Sequence, residues 1–224
     1  MYCTKQTTLF LRRSRSMAMI NDHLIALRCR DRILKRTFDI VFSALGLLVS
    51  SPIMLVAFII ASLETKSNGF FVQKRIGRDG KSFQLVKIKS MKRVDGVDST
   101  VTTRNDVRIT TSGAFFRHTK IDELPQLWNV LKGDMSFVGP RPDVPGYADK
   151  LQGADRAMLI LRPGITGPAS LKYKDEETLL AAQADPEQYN DEVIWPDKVS
   201  INLDYIRHYS FVQDLVYILR TFRG

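Results

Sequence analysis

The sequence is short of the residues that most often mark chemistry. Among its 224 residues are only two cysteines, Cys3 and Cys29, and three histidines, His23, His118 and His208. Neither set has the spacing of a metal site, and two thiols make no disulfide framework. The cysteines read as free thiols of a reducing compartment. The patterns GxSxG, GxxxxGK[ST] and GxGxxG are missing, which argues against a serine hydrolase, a P-loop nucleotidase and a typical Rossmann enzyme. Charge is missing altogether from residues 40–63. On either side lies the opposite condition: residues 1–36 carry a net +7 and residues 64–132 another +7, while residues 133–224 carry −4. A formal total of +9 calls for a polyanionic partner, which can be nucleic acid, an anionic membrane or a phosphorylated substrate. Nucleic-acid binders more often spread their cations along a folded face, without a lipid-soluble run between two blocks. The distribution therefore favours anionic membrane lipids, and no nucleic-acid partner is expected.

The uncharged run, IVFSALGLLVSSPIMLVAFIIASL, would reach about 36 Å as one straight helix, enough for a hydrocarbon core of about 30 Å. Two features oppose a plain span. Pro52 follows Ser50 and Ser51 in mid-run, and its missing N–H and ring clash favour a break there. Basic residues mark cytoplasmic ends, yet both ends are basic: Arg30, Arg32, Lys35 and Arg36 before, Lys66, Lys74, Arg75 and Arg78 after. A helix that enters, breaks at Ser51-Pro52 and returns keeps both blocks on one anionic leaflet. The serine hydroxyls can take carbonyls that the break leaves free. On these grounds alone the re-entrant form and the kinked span stay equally open.

Residues 69–91 read as a β-hairpin, with Phe71 and Val72 in one strand, Phe83, Leu85, Val86 and Ile88 in the other, and Gly77-Arg78-Asp79-Gly80 as the turn. Lys74, Arg75, Lys87 and Lys89 interleave with them, giving one cationic face suited to phosphate. The polar stretch 95–113 reads as a loop. Leu124, Leu127, Trp128 and Leu131 then recur at helical spacing. Gly133 is a stop, and Pro125 must lie in the first turn. That puts Asp122 and Glu123 at the helix N-terminus. Acids are common there as caps and dipole partners, so the pair alone carries no function. Its chemical reading is a Mg²⁺ and phosphoryl-transfer site, with a carboxylate as nucleophile.

Two rigid turns, Val138-Gly139-Pro140-Arg141-Pro142 and Arg162-Pro163-Gly164-Ile165-Thr166-Gly167-Pro168, each present one arginine, whose fork suits phosphate. The acidic tract 175–197 reads as a short helix and a polar loop with solvated charges. Ser210 and Gln213 have capping-box spacing before an apolar helix closed by Arg220 and Arg223, which is expected at the membrane interface or in mixed contact.

In order along the chain, KRTFDI (35–40), Ser51-Pro52, FFVQKRIGRDGKSF (70–83), KIKSM (87–91), IDELPQLWNVLKGDMSFVGPRP (121–142) and RPGITG (162–167) resemble the bacterial sugar transferase family, the monotopic phosphoglycosyl transferases. The resemblance covers roughly residues 35–224. It implies a re-entrant helix broken at Ser51-Pro52 and an enzyme at the cytoplasmic face of the bacterial inner membrane. It further implies Mg²⁺-dependent transfer of a sugar 1-phosphate from a UDP-sugar to undecaprenyl phosphate, with release of UMP, beginning a lipid-linked glycan. On the motif match Asp122 is the nucleophile that carries the phosphosugar and Glu123 assists through Mg²⁺ or proton handling, both as candidate metal ligands. Lys87, Lys89, Arg117, Arg141 and Arg162 are candidate phosphate binders. The family's Lys-Phe-Arg segment is Lys-Ile-Lys here, so residue 89 lacks the planar fork. After RPGITG the chain reads Pro168-Ala169-Ser170-Leu171-Lys172-Tyr173 where many relatives have a Trp-Ala-Gln-Val type sequence.

The expected fold is α+β, mainly α: a re-entrant membrane helix-hairpin and interfacial amphipathic helices around a small globular domain with a β-hairpin. Its parts are a basic N-terminal extension (1–34), the membrane helix (35–66) and a cytoplasmic catalytic domain (67–224). The oligomeric state is left open. The competing class is a membrane-anchored basic adaptor or nucleic-acid-binding protein without catalysis. A glycoside hydrolase is disfavoured, because adjacent residues are poorly placed to flank a bond from opposite faces.

Overall fold

A computed structural model describes residues 29–93 and 106–223. The expectations for the N-terminal extension as far as residue 28, and for most of the 95–113 loop, lie outside the described residues. The apolar run lies in one helix, α1 (Cys29–Thr65), of 37 residues, about 55 Å long. It is long and apolar enough to cross a membrane. The helix continues through Pro52, where the sequence reading expected a break into two limbs. The reason is local. Pro52 has no N–H for the carbonyl of Leu48, four residues back, and the Ser51 hydroxyl donates to that carbonyl at 2.8 Å. Ser50 donates likewise to Gly46 O at 2.6 Å.

One stripe of α1 is small or polar and faces protein: Asp39, Ser43, Ser50, Ala57 and Ala61 are buried, at spacings that keep them on one side of a helix. Midway along it, Gly46 lies against Leu127, whose Cδ1 would be 3.0 Å from an added Cβ. Leu45, Leu48, Val49, Leu55, Val56, Ile59 and Leu63 are exposed, an unpartnered apolar face of the kind that marks a membrane contact. The globular part holds both ends of the helix. At one end Lys35 donates to Val138 O at 2.9 Å, and Asp39 accepts from the Phe137 N–H and the Ser136 hydroxyl, each at 3.1 Å. At the other, Glu64 accepts from the N–H groups of Thr111 and Ser112 and from the Ser112 hydroxyl.

Strands β1 (Phe70–Ile76) and β2 (Ser82–Ile88) form the expected antiparallel hairpin, in the register Phe71↔Lys87, Gln73↔Leu85, Arg75↔Phe83. Directly paired residues share a face. Arg75 and Lys87 therefore share a face, four register positions apart, and Lys74 lies on the other side. Only part of the expected cationic face is real. Helix α2 (Thr111–Thr119) begins inside the segment read as a loop, capped by the Thr110 side chain, which accepts from Gly113 N–H. Helix α3 (Gln126–Lys132) ends at Gly133, whose φ of 99° supplies the left-handed cap. Its buried residues are Gln126, Leu127, Asn129 and Val130. Trp128, placed on the core stripe by its spacing, is instead 54% exposed.

The two Gly-Pro turns pack on each other. Strands β3 (Ser136–Val138) and β4 (Gly164–Thr166) pair in parallel, and a Cβ on Gly164 would lie 2.2 Å from Gly139 N. The motif glycines are thus demanded by close backbone approach. Short helices α4 (Pro168–Lys172), α5 (Glu176–Ala181) and α6 (Pro186–Tyr189) lead through a single π turn (Asn190–Ile194) to α7 (Trp195–Arg207) and α8 (Phe211–Arg223). The expected polar loop is thus helical from Pro186 to its end at residue 197. The largest core cluster joins Ile76, Val138, Met158 and Leu159 to Val199, Leu203, Tyr205 and Ile206 of α7. In α8 the one buried residue is an acid. Asp214 is 2% exposed, held by Lys35 at 2.5 Å and Tyr205 at 2.6 Å. Val212, Leu219 and Phe222 face outward.

Candidate active site

Asp122 and Glu123 occupy a 3₁₀ turn, Ile121–Glu123, between α2 and α3. The chain enters it through Lys120, at φ 59°, which ends α2 and redirects the backbone so that the turn leads into α3. Pro125 then starts α3 without losing an intrahelical bond. The pair therefore stands one turn ahead of the helix proper, close to the expected position.

The two carboxylates have different surroundings. Glu123 Oε1 accepts from Lys87 Nζ at 3.0 Å and from Arg141 Nη2 at 3.2 Å. Burial pushes Glu123 up, but Lys87 and Arg141 outweigh it and hold the carboxyl well below the usual carboxylate range. Asp122 is 5% exposed, and its Oδ1 is buried without a hydrogen-bond partner. Burial pushes its carboxyl up, Lys87 pulls it down, and neighbouring Glu123 pushes it up again. An orphaned buried carboxylate oxygen costs free energy, and it is the feature that a cation or an electrophilic phosphorus would relieve.

The motif turn after β3 delivers Arg141, and β2 delivers Lys87. A third contribution to this alignment comes from Asn129, which is almost fully buried. Its amide accepts from Val86 N–H at 3.1 Å and donates to Gln84 O at 2.7 Å, pairing with β2 as another strand would. This clamp fixes α3, and with it the carboxylate turn, against the strand that carries Lys87. The sequence reading passed over Asn129. Its signal was a polar residue on the buried side of a short helix.

Arg117, on α2, pairs with Glu177 of α5, an acid the sequence reading left in solvent. Glu176 is likewise paired, with Lys198 at 2.7 Å. Asp197 takes Lys172 and the Tyr173 hydroxyl, each at 2.6 Å. Two candidate phosphate binders do not reach the carboxylates. Lys89 donates to Ser67 Oγ at 2.8 Å, joining the hairpin to the segment after α1. Arg162 donates through Nε to Gly133 O at 2.7 Å. It caps the far end of α3 beside Arg36, which bonds Val130 O and Leu131 O. Ten residues of near-helical chain put that end about 15 Å from Glu123. Cations at exposed helix C-terminal carbonyls stabilise them, which explains Arg162 without a phosphate.

Among the described residues no group of three or more His, Cys, Asp or Glu is arranged to hold a metal. Asp122 and Glu123 can supply two carboxylates. The remaining ligands of an octahedral Mg²⁺ are ordinarily substrate phosphate oxygens and water. The orphaned Oδ1 of Asp122 suits such an ion.

The bacterial sugar transferase family model matches residues 30–224. The UDP-glucose:undecaprenyl-phosphate glucose-1-phosphate transferase of Caulobacter vibrioides is 36% identical over 202 residues, covering 84% of this chain and 67% of that protein. The exopolysaccharide production protein PSS of Rhizobium leguminosarum bv. phaseoli is 35% identical over 201 residues, 85% of this chain and 94% of that one. The UDP-glucose:undecaprenyl-phosphate glucose-1-phosphate transferase of Klebsiella pneumoniae is 35% identical over 201 residues, 87% of this chain but 40% of that longer protein. With its carboxylate turn, its two cations on Glu123 and a family match running from α1 to α8, the chain belongs to the bacterial sugar transferase family.

Proposed function

We propose that the protein transfers a sugar 1-phosphate from a UDP-sugar to undecaprenyl phosphate at a membrane surface. The observation that carries this reading is the orphaned Oδ1 of Asp122 beside a Glu123 fixed by two cations. An Asp122 oxygen attacks the phosphorus bonded to the sugar. The bond from that phosphorus to the bridging oxygen breaks, and its electron pair leaves with UMP. The sugar phosphate is now an acyl phosphate on Asp122. A phosphate oxygen of the lipid attacks the same phosphorus, and the Asp122 carboxylate leaves unchanged. Lys87 and Arg141 keep Glu123 ionised, and Lys87 also lowers the cost of ionising Asp122. A bound Mg²⁺, held by Asp122, Glu123 and the diphosphate, would supply neutralisation of charge on the phosphate oxygens.

The topology proposed for α1 is re-entrant: the helix bends at Ser51-Pro52 while staying helical, and both ends lie at the cytoplasmic face. One globular body bonds Lys35 and Asp39 near one end and Glu64 near the other. Residues 35 and 64 are about 43 Å apart along a straight helix, so a full crossing would set these contacts on opposite sides of the membrane. Impermeant thiol labelling of single cysteines at residues 30 and 68 in intact cells tests this. Labelling of one site alone would mean a span.

The reaction is tested by UMP release with undecaprenyl phosphate across a panel of UDP-sugars, with and without a chelator. Release with at least one sugar, abolished by chelation and restored by Mg²⁺, is expected. A protein active in none would overturn the reading. A non-catalytic adaptor would leave the buried, unpartnered Oδ1 of Asp122 without an explanation.

A further inference from the structure

We infer that Arg75 is a second anion-binding group of this site, acting beside Arg141 on a substrate phosphate. The inference rests on the phosphotransfer reading for the identity of its ligand. Its physical basis is separate.

Arg75 shares a face of the hairpin with Lys87. Its Nη2 donates to Gln73 Oε1 at 2.6 Å and its Nη1 to Pro142 O at 3.2 Å. Both acceptors are neutral. A guanidinium has five N–H donors, so these two bonds leave three, and the buried Nε–H has no partner at all. Among the described residues, the ion pairs include none for Arg75. Its neighbour Arg141 is itself a cation, already turned to Glu123. Burial and the charge of Arg141 pull Arg75 down to about 10. The charges of Asp143 and Glu123 act the other way on Arg75, but among the described residues neither carboxylate is within ion-pair distance of its guanidinium.

A partly buried guanidinium whose direct acceptors are all neutral, beside a second arginine, gains from an anion placed directly on its free donors. Gln73 and the Pro142 carbonyl orient it and leave donors over, the arrangement in which arginine grips a phosphate through two parallel bonds. The same phosphate chemistry is offered by the diphosphate of a nucleotide sugar and by a lipid monophosphate.

The test uses the full chain in lipid nanodiscs. UDP, pyrophosphate and uridine binding are measured for wild type, R75Q and R75K, with KM for the lipid acceptor alongside. Expected for R75Q is about tenfold or greater weakening of UDP and pyrophosphate, with uridine unchanged and R75K intermediate. A general loss of structure would move uridine as well. If UDP binding is kept and KM for undecaprenyl phosphate rises about tenfold, the anion is the lipid phosphate and the inference stands. Unchanged UDP, pyrophosphate and lipid parameters in folded R75Q would overturn it. Should R75Q not fold, phenylglyoxal modification of wild type decides, with peptide mapping: pyrophosphate protects Arg75, or the inference fails. Wild type that binds pyrophosphate through Arg75 yet releases no UMP from any UDP-sugar would overturn the proposed reaction and leave this inference standing.

Discussion

Lys87 donates to Glu123 Oε1 at 3.0 Å, joining the second strand of the hairpin to the turn that precedes α3. The two residues are 36 positions apart, and Asn129 holds their elements in register. Lys87→Met keeps the bulk of the side chain and removes the charge. UMP release should fall about tenfold to a hundredfold, the range of a charge-assisted hydrogen bond. Glu123 would lose one of the cations that depress it, so the acidic limb of the pH–rate profile should move to higher pH. A full-rate variant with an unmoved profile would contradict the role given to this pair.

Arg117 is engaged by Glu177 of α5, so a substrate phosphate must displace that carboxylate to use it. The Glu177 side chain is 46% exposed and that of Arg117 23%, and pairs so open to solvent contribute roughly 0.2–1 kcal/mol. Glu177→Gln should therefore lower KM for the UDP-sugar by up to about fivefold, while Arg117→Ala should raise it. Initial-rate kinetics on both variants check this. A higher KM in Glu177→Gln would show that the acid helps the substrate.

Asp214 ties α8 to the start of α1 through Lys35 and is also bonded by Tyr205 and Tyr209. Truncation would strand a nearly buried lysine. Asp214→Ala should cost about 3–5 kcal/mol, lowering Tm by roughly 6–20 °C for a chain of this size. Thermal unfolding of the detergent-solubilised protein measures it. A shift below about 2 °C would mean that α8 is held by its apolar contacts alone.

Asp143 gives a pH dependence of definite sign. Its ordinary value is 3.8 and burial raises it to about 7 in the folded protein. Between those values the unfolded chain has given up the proton that the folded one keeps. Stability should then fall as pH rises from about 4 to about 7. Glu123 works the other way, and its contribution is lost only as pH falls below its ordinary 4.5. Denaturant unfolding at pH 5 and pH 8 should show the wild type weaker at pH 8, with a smaller decline in Asp143→Asn, since Asp39 and Asp122 are also raised by burial. An equally steep decline in Asp143→Asn would assign the effect to another group.

The features legible in the sequence were those that follow from local chemistry. Gly77 to Gly80 dictated the hairpin, Gly133 the end of α3, and Pro125 the position of Asp122 and Glu123. What escaped depends on distant partners. Asp214 sits in an apolar helix and is that helix's buried residue because Lys35, 179 positions away, meets it. Glu177 looked solvated until α5 was laid against Arg117. Arg162 reads as a candidate phosphate binder from its rigid turn, and no local pattern announces that its Nε meets the Gly133 carbonyl at the end of α3. Ser51 and Pro52 were recognised as a weak point. Pattern alone could not say that the serine hydroxyl would carry the helix through it.

The central claim is that Asp122 carries the phosphosugar. Incubating the protein with a UDP-sugar and Mg²⁺, without lipid acceptor, and mapping its peptides by mass spectrometry tests this most directly. The account requires a sugar phosphate on the peptide containing Asp122, one UMP released per adduct, loss of the adduct on adding undecaprenyl phosphate, and none in Asp122→Asn. Full transfer to the lipid by Asp122→Asn, or an adduct on another residue, would contradict it.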